Sequence, residues 1–415
     1  MRLTDKIKRN KKMKKRYVMV GCSCRGYSMF VERLVDKYAD TAQITGVFDP
    51  NYVRANVYKA KIGDGCTVYD DFDTMMKAEK PDAVIVTTVD STHHEYIVRA
   101  LDMGCDAISE KPLTNTYERC KAIRDAERRT GHKVTVTFNC RFMPFFATIK
   151  ELLLKEKVGK VLAINYEYCL SRWHGGDYMK RWHRLMENSE GLLLHKSTHH
   201  FDIINWLLMD EPKKVAALAN RVYYNDTSKA YGERCRDCAA KDTCETAVSQ
   251  WGHWDQPFYF DAEHVDGYIR DRCAFKEGHD IYDNMSVSVM YNKGTLLTYT
   301  LNLFSEHEGY RMVITGEKGV IIANHWDWGA GGTSLEFLGY NGSHENIPFV
   351  YGEGAHGGGD EMLVEMIFGE PIPDPLGQHA DSYAGMVSAM IGIAANESIA
   401  TGKTVELKDY LDSLK

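Results

Sequence analysis

The sequence contains no apolar run approaching the ~18 residues that a membrane span requires, so nothing in it reads as a transmembrane helix. It also lacks a surplus of positive charge. Fifty-one Lys and Arg face 58 Asp and Glu, and the net charge of −7 argues against an extended nucleic-acid surface. Internal repeats and low-complexity tracts are absent too. What is present is ordinary for a globular protein: 44% hydrophobic, 26% charged and 11% aromatic residues exclude global disorder. A length of 415 residues gives two or three domains, at roughly 150 residues each.

The charge is unevenly spread. Residues 1–16 carry nine Lys or Arg against one Asp, leaving a remainder of −15. This stretch lacks the apolar core of a signal peptide and is expected to be a disordered basic leader, or an upstream start with Met13 as the true one. Without a secretory signal the expected compartment is the reducing cytoplasm, where 11 Cys are thiols or metal ligands rather than a disulfide framework.

Apolar runs and helical patterns alternate along the first part of the chain. Tyr17–Val20, Gln43–Phe48, Thr67–Tyr69, Ala83–Thr88, Ala107–Ser109 and Val134–Phe138 read as strands, with helical segments between them. Ala83–Thr88 is a continuous, largely β-branched run, as expected of a strand buried on both faces. The alternation predicts a doubly wound parallel sheet over residues 17–145. The texture then changes. After a linking helix at Phe145–Lys155 come a strand at Val161–Tyr168, a helix at Gly191–Met209, hairpin strands from Met285 to Ala323 and a final helix over 380–400. The expected plan is an α/β nucleotide-binding domain followed by an α+β domain over 146–415, with a large, mainly antiparallel sheet and a C-terminal helix returning to the core.

The first strand runs into Gly21-Cys22-Ser23-Cys24-Arg25-Gly26. This approximates the Gly-x-Gly-x-x-Gly dinucleotide fingerprint, with Ser23 in place of the middle glycine. The first glycine permits the tight turn, the last permits close helix–strand packing, and backbone N–H groups at the helix start hold pyrophosphate. Asp49 ends the second strand, where a carboxylate binds a ribose 2′-OH and repels a 2′-phosphate; NAD is favoured over NADP, although Arg54 leaves NADP open.

At Ser109-Glu110-Lys111-Pro112-Leu113 the chain resembles the Gfo/Idh/MocA oxidoreductases. Asp90-Ser91-Thr92-His93-His94-Glu95, Asn139-Cys140-Arg141-Phe142, His195-x3-His199-x2-Asp202 and Gly357-Gly358-Gly359-Asp360 agree with it, so the resemblance covers about residues 16–410. It implies a Rossmann domain, an open antiparallel sheet facing the nicotinamide, and hydride transfer between NAD(P) and a carbinol or carbonyl carbon of a sugar or cyclitol. It implies cofactor contacts at Gly21, Ser23, Cys24, Arg25, Gly26, Asp49, Thr88, Asp90, His93, Glu110, Lys111 and Asn139. It also implies a homo-oligomer, formed through the outer face of the sheet.

Removing hydride from a carbinol leaves a hydroxyl proton to be taken by a base with a pKa near the working pH. Lys111 matches the family's lysine, and partial desolvation beside the cofactor should lower its pKa. His199 matches the family's catalytic histidine. His195 stands where the family has Asp and cannot supply a fixed negative charge. With His199 it lies at i, i+4, a spacing that places both on one helix face and would also suit a metal completed by His174, His183 or Asp202. Asp202 either orients His199 or is structural.

Arg172-Trp173-His174-Gly175-Gly176-Asp177-Tyr178 and Arg181-Trp182-His183-Arg184 form a dense polar–aromatic loop whose composition suits a carbohydrate pocket. Arg141, Asp202 and His356 join it as substrate candidates. Cys235, Cys238, Cys244 and Cys273 could close a structural Zn site or ligate an Fe–S cluster, or be free thiols. The expected function is an NAD-dependent oxidoreductase acting on a ring carbinol or ketone. The alternative is an NAD-requiring glycoside hydrolase or lyase working by transient C3 oxidation and elimination, in which His195 would serve as an extra base. The expected partner is a small carbohydrate, with no nucleic acid and no membrane.

Overall fold

The structure is a computed structural model that describes residues 13–248, 256–327, 332–350, 352 and 354–415. Most of the expected leader lies outside the described residues. The first strand begins at Lys15, and Arg16 donates to the Glu79 carbonyl at 2.7 Å, so the end of the expected leader belongs to the fold.

The first sheet is built from β1 (Lys15–Val20), β2 (Ala42–Phe48), β3 (Thr67–Tyr69), β4 (Ala83–Val86), β5 (Asp106–Ser109) and β6 (Val134–Val136), all parallel, in the order β6-β5-β4-β1-β2-β3. The order reverses beside β1, and ligands bind outside the carboxyl ends of strands at such a switch point. β4 is buried along its whole length, as its apolar run requires.

The second sheet has nine strands. They are β7 (Val161–Ser171), β8 (Pro212–Asn220), β9 (Asn284–Tyr291), β10 (Leu296–Ser305), β11 (Gly309–Gly316), β12 (Gly319–Trp326), β13 (Ser334–Gly339), β14 (His344–Asn346) and a two-residue strand at Val405–Glu406. All neighbours pair antiparallel except β7 and β10. Met285, Val287, Val289 and Tyr291 of β9 are buried while Ser288 and Met290 are exposed, so one face of the sheet is covered. The helices Thr198–Leu208 and Ser382–Thr401 supply that cover. Ala380–Asp381 pairs antiparallel with β6, which ties the C-terminal segment back to the first sheet.

The expected single helix Gly191–Met209 is two: Leu192–His195 and Thr198–Leu208. Ser197 causes the break. Its hydroxyl donates to the Leu192 carbonyl at 3.1 Å and lies 2.9 Å from the Tyr299 hydroxyl, which draws the backbone out of helical register. His195 and His199 therefore do not share one continuous helix face.

Candidate active site

The turn after β1 behaves as its glycines demand. Gly21 has φ +83°, and a Cβ there would sit 2.7 Å from the backbone of Thr87 and Thr88. A Cβ on Gly26 would meet the Tyr58 hydroxyl and the Thr87 side chain, so this position permits close approach. Ser23 caps the following helix, its Oγ accepting from the Gly26 N–H at 3.1 Å. Asp49 accepts from the Cys22 N–H at 2.7 Å and from the Asn51 N–H at 2.7 Å, which holds its carboxylate against the turn. The Cys24 thiol lies 3.1 Å from the Tyr259 hydroxyl.

Arg25 reaches across to the second half of the chain. Its guanidinium donates to both oxygens of Asp360, at 2.7 and 3.2 Å. Asp360 is fully buried and also accepts from the Asn139 amide and meets His356 Nδ1 at 3.1 Å. Burial would raise this carboxyl, but His356 and Arg25 outweigh it and hold it far below the usual range. Thr88 accepts from the Thr92 hydroxyl at 2.9 Å. His93 is corrected by its contacts. Its ring is 1% exposed, with Nδ1 2.8 Å from the Pro112 carbonyl and Nε2 3.1 Å from the Thr88 carbonyl. It braces the loops on either side and is not available to a cofactor.

Glu110 Oε1 and Asn139 Oδ1 are buried and have no hydrogen-bond partner. Glu110 Oε1 has only the Arg25 charge nearby, at 3.8 Å. Buried acceptors without hydrogen bonds, together with a turn that cannot take a Cβ, fit a bound dinucleotide.

Lys111 and the Asp90–His195 pair lie together. Lys111 Nζ donates to the His195 carbonyl at 3.1 Å. Burial pulls its amine down to about 8, against the opposing pull of Asp90 and Glu110 and with a small push from Lys196. Asp90 Oδ2 lies 2.6 Å from His195 Nδ1, and both residues are buried. Burial and then the Lys111 charge hold His195 far below its ordinary value, so the ring is neutral. The same burial pushes the Asp90 carboxyl up, with Lys111 opposing. The His195 imidazole is thus backed by a buried carboxyl group.

His199 is neutral for the same reason, with burial first and then Lys111 and Lys196. Its Nδ1 lies 3.7 Å from the Cys140 thiol, and its ring stands 6.5 Å from that of His356. Asp202 does not orient it. Both Asp202 oxygens are taken by Arg141, at 2.6 and 2.7 Å, in a buried bidentate pair, and Arg141 also donates to the Gly377 carbonyl at 3.2 Å. Arg141 and Asp202, both expected at the substrate, satisfy each other in the structure.

The polar–aromatic segment divides. It is helical at Arg172–Tyr178 and 3-10 at Trp182–Arg184, rather than an open loop. Tyr178 and Trp182 stand edge-on to the His195 ring at 5.7 and 5.5 Å, and His183 lies 4.2 Å from it. His183 Nδ1 is buried with no hydrogen-bond partner. Asp177 is shared by Arg270 at 2.6 Å and Arg181 at 3.2 Å. Arg172 turns away, donating to the Phe304 carbonyl at 3.2 Å and to Glu245 at 3.4 Å, and Trp173 is 36% exposed. The structure does not bring these two to Lys111, because Glu245 and Glu306 draw the guanidinium outward.

The metal expectations are not met. Among the described residues no group of three or more His, Cys, Asp or Glu side chains converges as a metal site. Cys238 accepts from the Ala240 N–H at 3.4 Å, Cys244 faces the Thr246 hydroxyl at 3.3 Å, and Cys235 is buried over the Arg272 carbonyl at 4.0 Å. None of the four cysteines is in a disulfide. The donors around His195 and His199 diverge in the same way, toward Asp90 and Cys140.

Sequence reasoning missed two members of the site. Lys196 lies 5.3 Å over the Tyr168 ring, and its charge lowers both Lys111 and His199. Glu308 meets His174 Nδ1 at 2.6 Å and accepts from the Ser171 hydroxyl at 2.9 Å. No motif marks Glu308, and Lys196 falls on an unassigned position of the His195-x3-His199-x2-Asp202 pattern.

The family model for the NAD-binding Rossmann fold of the oxidoreductase family matches residues 15–138, and the model for its C-terminal alpha/beta domain matches residues 150–407. The chain belongs to the Gfo/Idh/MocA oxidoreductase family. This member is 34% identical to YteT of Bacillus subtilis (strain 168), over 95% of this chain and 98% of that protein. It is 29% identical to the scyllo-inositol 2-dehydrogenase (NAD(+)) of the same organism, over 51% of this chain and 62% of that enzyme. Its fold is similar to that of the aldose-aldose oxidoreductase from Caulobacter crescentus, solved with glycerol: TM-score 0.65 at 16% identity, covering 95% of this chain and 100% of that one. Both halves of this Gfo/Idh/MocA chain thus match their models, and no helix among its described residues is long and apolar enough to cross a membrane.

Proposed function

We propose that the chain is an NAD-dependent oxidoreductase acting on a ring carbinol, or the corresponding ketone, of a sugar, glycoside or cyclitol. The observation that carries this is Lys111, an amine held at about 8 by burial. It donates to the His195 carbonyl, whose ring is backed by Asp90. When bound, the nicotinamide accepts or returns the hydride. The chain's own residues handle the proton. In the oxidative direction the neutral Lys111 amine takes the hydroxyl proton as the C–H bond is lost, and in the reverse direction the ammonium gives it back. His199 and His195, both neutral, offer ring nitrogens to the same or adjacent hydroxyls. Tyr178, Trp182 and His183 supply an aromatic and polar wall of the kind that binds a sugar ring. Asp49, at the end of β2, supports NAD over NADP.

His195 favours a second reading. A neutral imidazole with its own carboxylate is a base additional to Lys111. Such a base would serve a redox-neutral cleavage, in which C3 oxidation acidifies the C2 proton before elimination. The experiment is incubation with NAD+ and a panel of sugars, cyclitols and aryl glycosides, following absorbance at 340 nm and aglycone release. Net NADH supports the first reading, and aglycone release without net NADH supports the second. Dinucleotide binding with neither signal, unaltered by Lys111→Ala, would defeat both.

A further inference from the structure

Arg54 follows Asp49 closely in sequence, at the ribose end of the expected cofactor site. A guanidinium there ordinarily accommodates a 2′-phosphate. In this fold it is already engaged. Arg54 Nε lies 3.4 Å from Asp49 Oδ1, and its Nη2 is paired with Asp266. Asp266 belongs to the other half of the chain, at the end of a short helix, Glu263–Asp266.

The segment carrying Asp266 is anchored along this edge of the nucleotide-binding half. The Asn51 amide donates to the Ala262 carbonyl at 2.8 Å, and the Tyr52 hydroxyl lies 3.4 Å from His264 Nε2. The Cys24 thiol meets the Tyr259 hydroxyl beside the pyrophosphate turn. From behind, Arg234 grips Glu263 with two hydrogen bonds at 2.5 and 2.6 Å. Asp266 itself accepts from the Tyr268 N–H at 3.1 Å, which aims its other oxygen at Arg54.

We infer that Asp266 is a cofactor-specificity residue, holding Arg54 away from a 2′-phosphate and adding a second carboxylate beside Asp49 to repel one. This rests on the dinucleotide reading given under Proposed function. An Arg flanked by two carboxylates offers little net attraction to a dianion, whereas a ribose 2′-OH needs only the Asp49 acceptor.

The test is isothermal titration calorimetry of the full chain with NAD+ and with NADP+, for the parent protein, Asp266→Asn and Asp266→Asn/Arg54→Ala. The parent should prefer NAD+. In Asp266→Asn the NADP+/NAD+ affinity ratio should rise roughly tenfold to a hundredfold, the scale of one freed charge-assisted hydrogen bond. The double variant should lose most of that rise, keeping only the smaller part that comes from the removed carboxylate, because the main gain runs through Arg54. A parent that binds NADP+ as tightly as NAD+ would overturn the inference. So would a ratio unchanged in Asp266→Asn, or one that rises equally in the double variant. Loss of both dinucleotides in Asp266→Asn would also overturn it, making Asp266 a support of the fold. A parent that binds neither dinucleotide would instead defeat the dinucleotide reading, a separate failure.

Discussion

Two buried carboxylates each partner a basic side chain at 2.6 Å: Asp90 with His195, and Asp202 with Arg141. Their depth is similar, with Asp90 2% and Asp202 1% exposed. What differs is the acid strength of the partner. A guanidinium stays charged at every accessible pH, so Arg141–Asp202 is a fixed, fully satisfied strut that pins the helix Thr198–Leu208. An imidazole can give up its proton, and the Lys111 charge presses on it. The Asp90–His195 pair therefore holds a proton that can move. Similar burial and contact distance thus leave one pair fixed and the other open to proton exchange.

That contrast can be broken from either side. Lys111→Ala should have the largest effect, a fall in kcat of roughly 10²–10⁴ without a lowered Tm, since the variant removes the proton carrier and relieves a desolvated cation. Steady-state rates and a thermal melt would check both halves. Asp202→Ala should reverse the pattern. It leaves Arg141 buried and unpaired, and should cost about 3–5 kcal/mol of stability in a urea titration.

Asp90→Asn should be milder, lowering kcat roughly tenfold to a hundredfold, which is about 1.4–2.7 kcal/mol of barrier. It has a signed consequence as well. The Asp90 charge raises Lys111, so its removal should move the pH midpoint of the oxidative rate below that of the parent. The smallest effect is expected at Glu308. Burial would raise its carboxyl, but His174 and Lys196 outweigh it and bring it from 4.5 down to about 2. Its contribution to stability is complete above 4.5 and is lost as the pH falls through about 2. Glu308→Gln should lower Tm on the neutral plateau and flatten its acid limb, parent and variant converging as the pH falls through about 2.

The legible parts of the molecule were those with local causes. The apolar run at Ala83–Val86, the alternation in β9 and β10 and the glycine turn each carry their structure in a few consecutive residues. β8 escaped because its alanines and lysines have weak strand preference and its partners lie in β9. The break before His199 escaped because Tyr299, about a hundred positions away, engages Ser197. At the site, Lys111 stood out by motif, whereas the pairing of Arg141 with Asp202 and the outward turn of Arg172 depend on partners that no spacing rule names. Asp266 follows the same rule: its meaning lies in Arg54, far away in sequence.

The central claim is that burial makes the Lys111 amine a proton carrier near neutral pH. The most direct measurement is competitive acetylation of the native protein across pH 6–11, read by mass spectrometry at each lysine. Such a titration needs no knowledge of the substrate. Lys111 should show a midpoint of about 8, with surface lysines titrating near 10.5. A Lys111 midpoint that coincides with the surface lysines would contradict it.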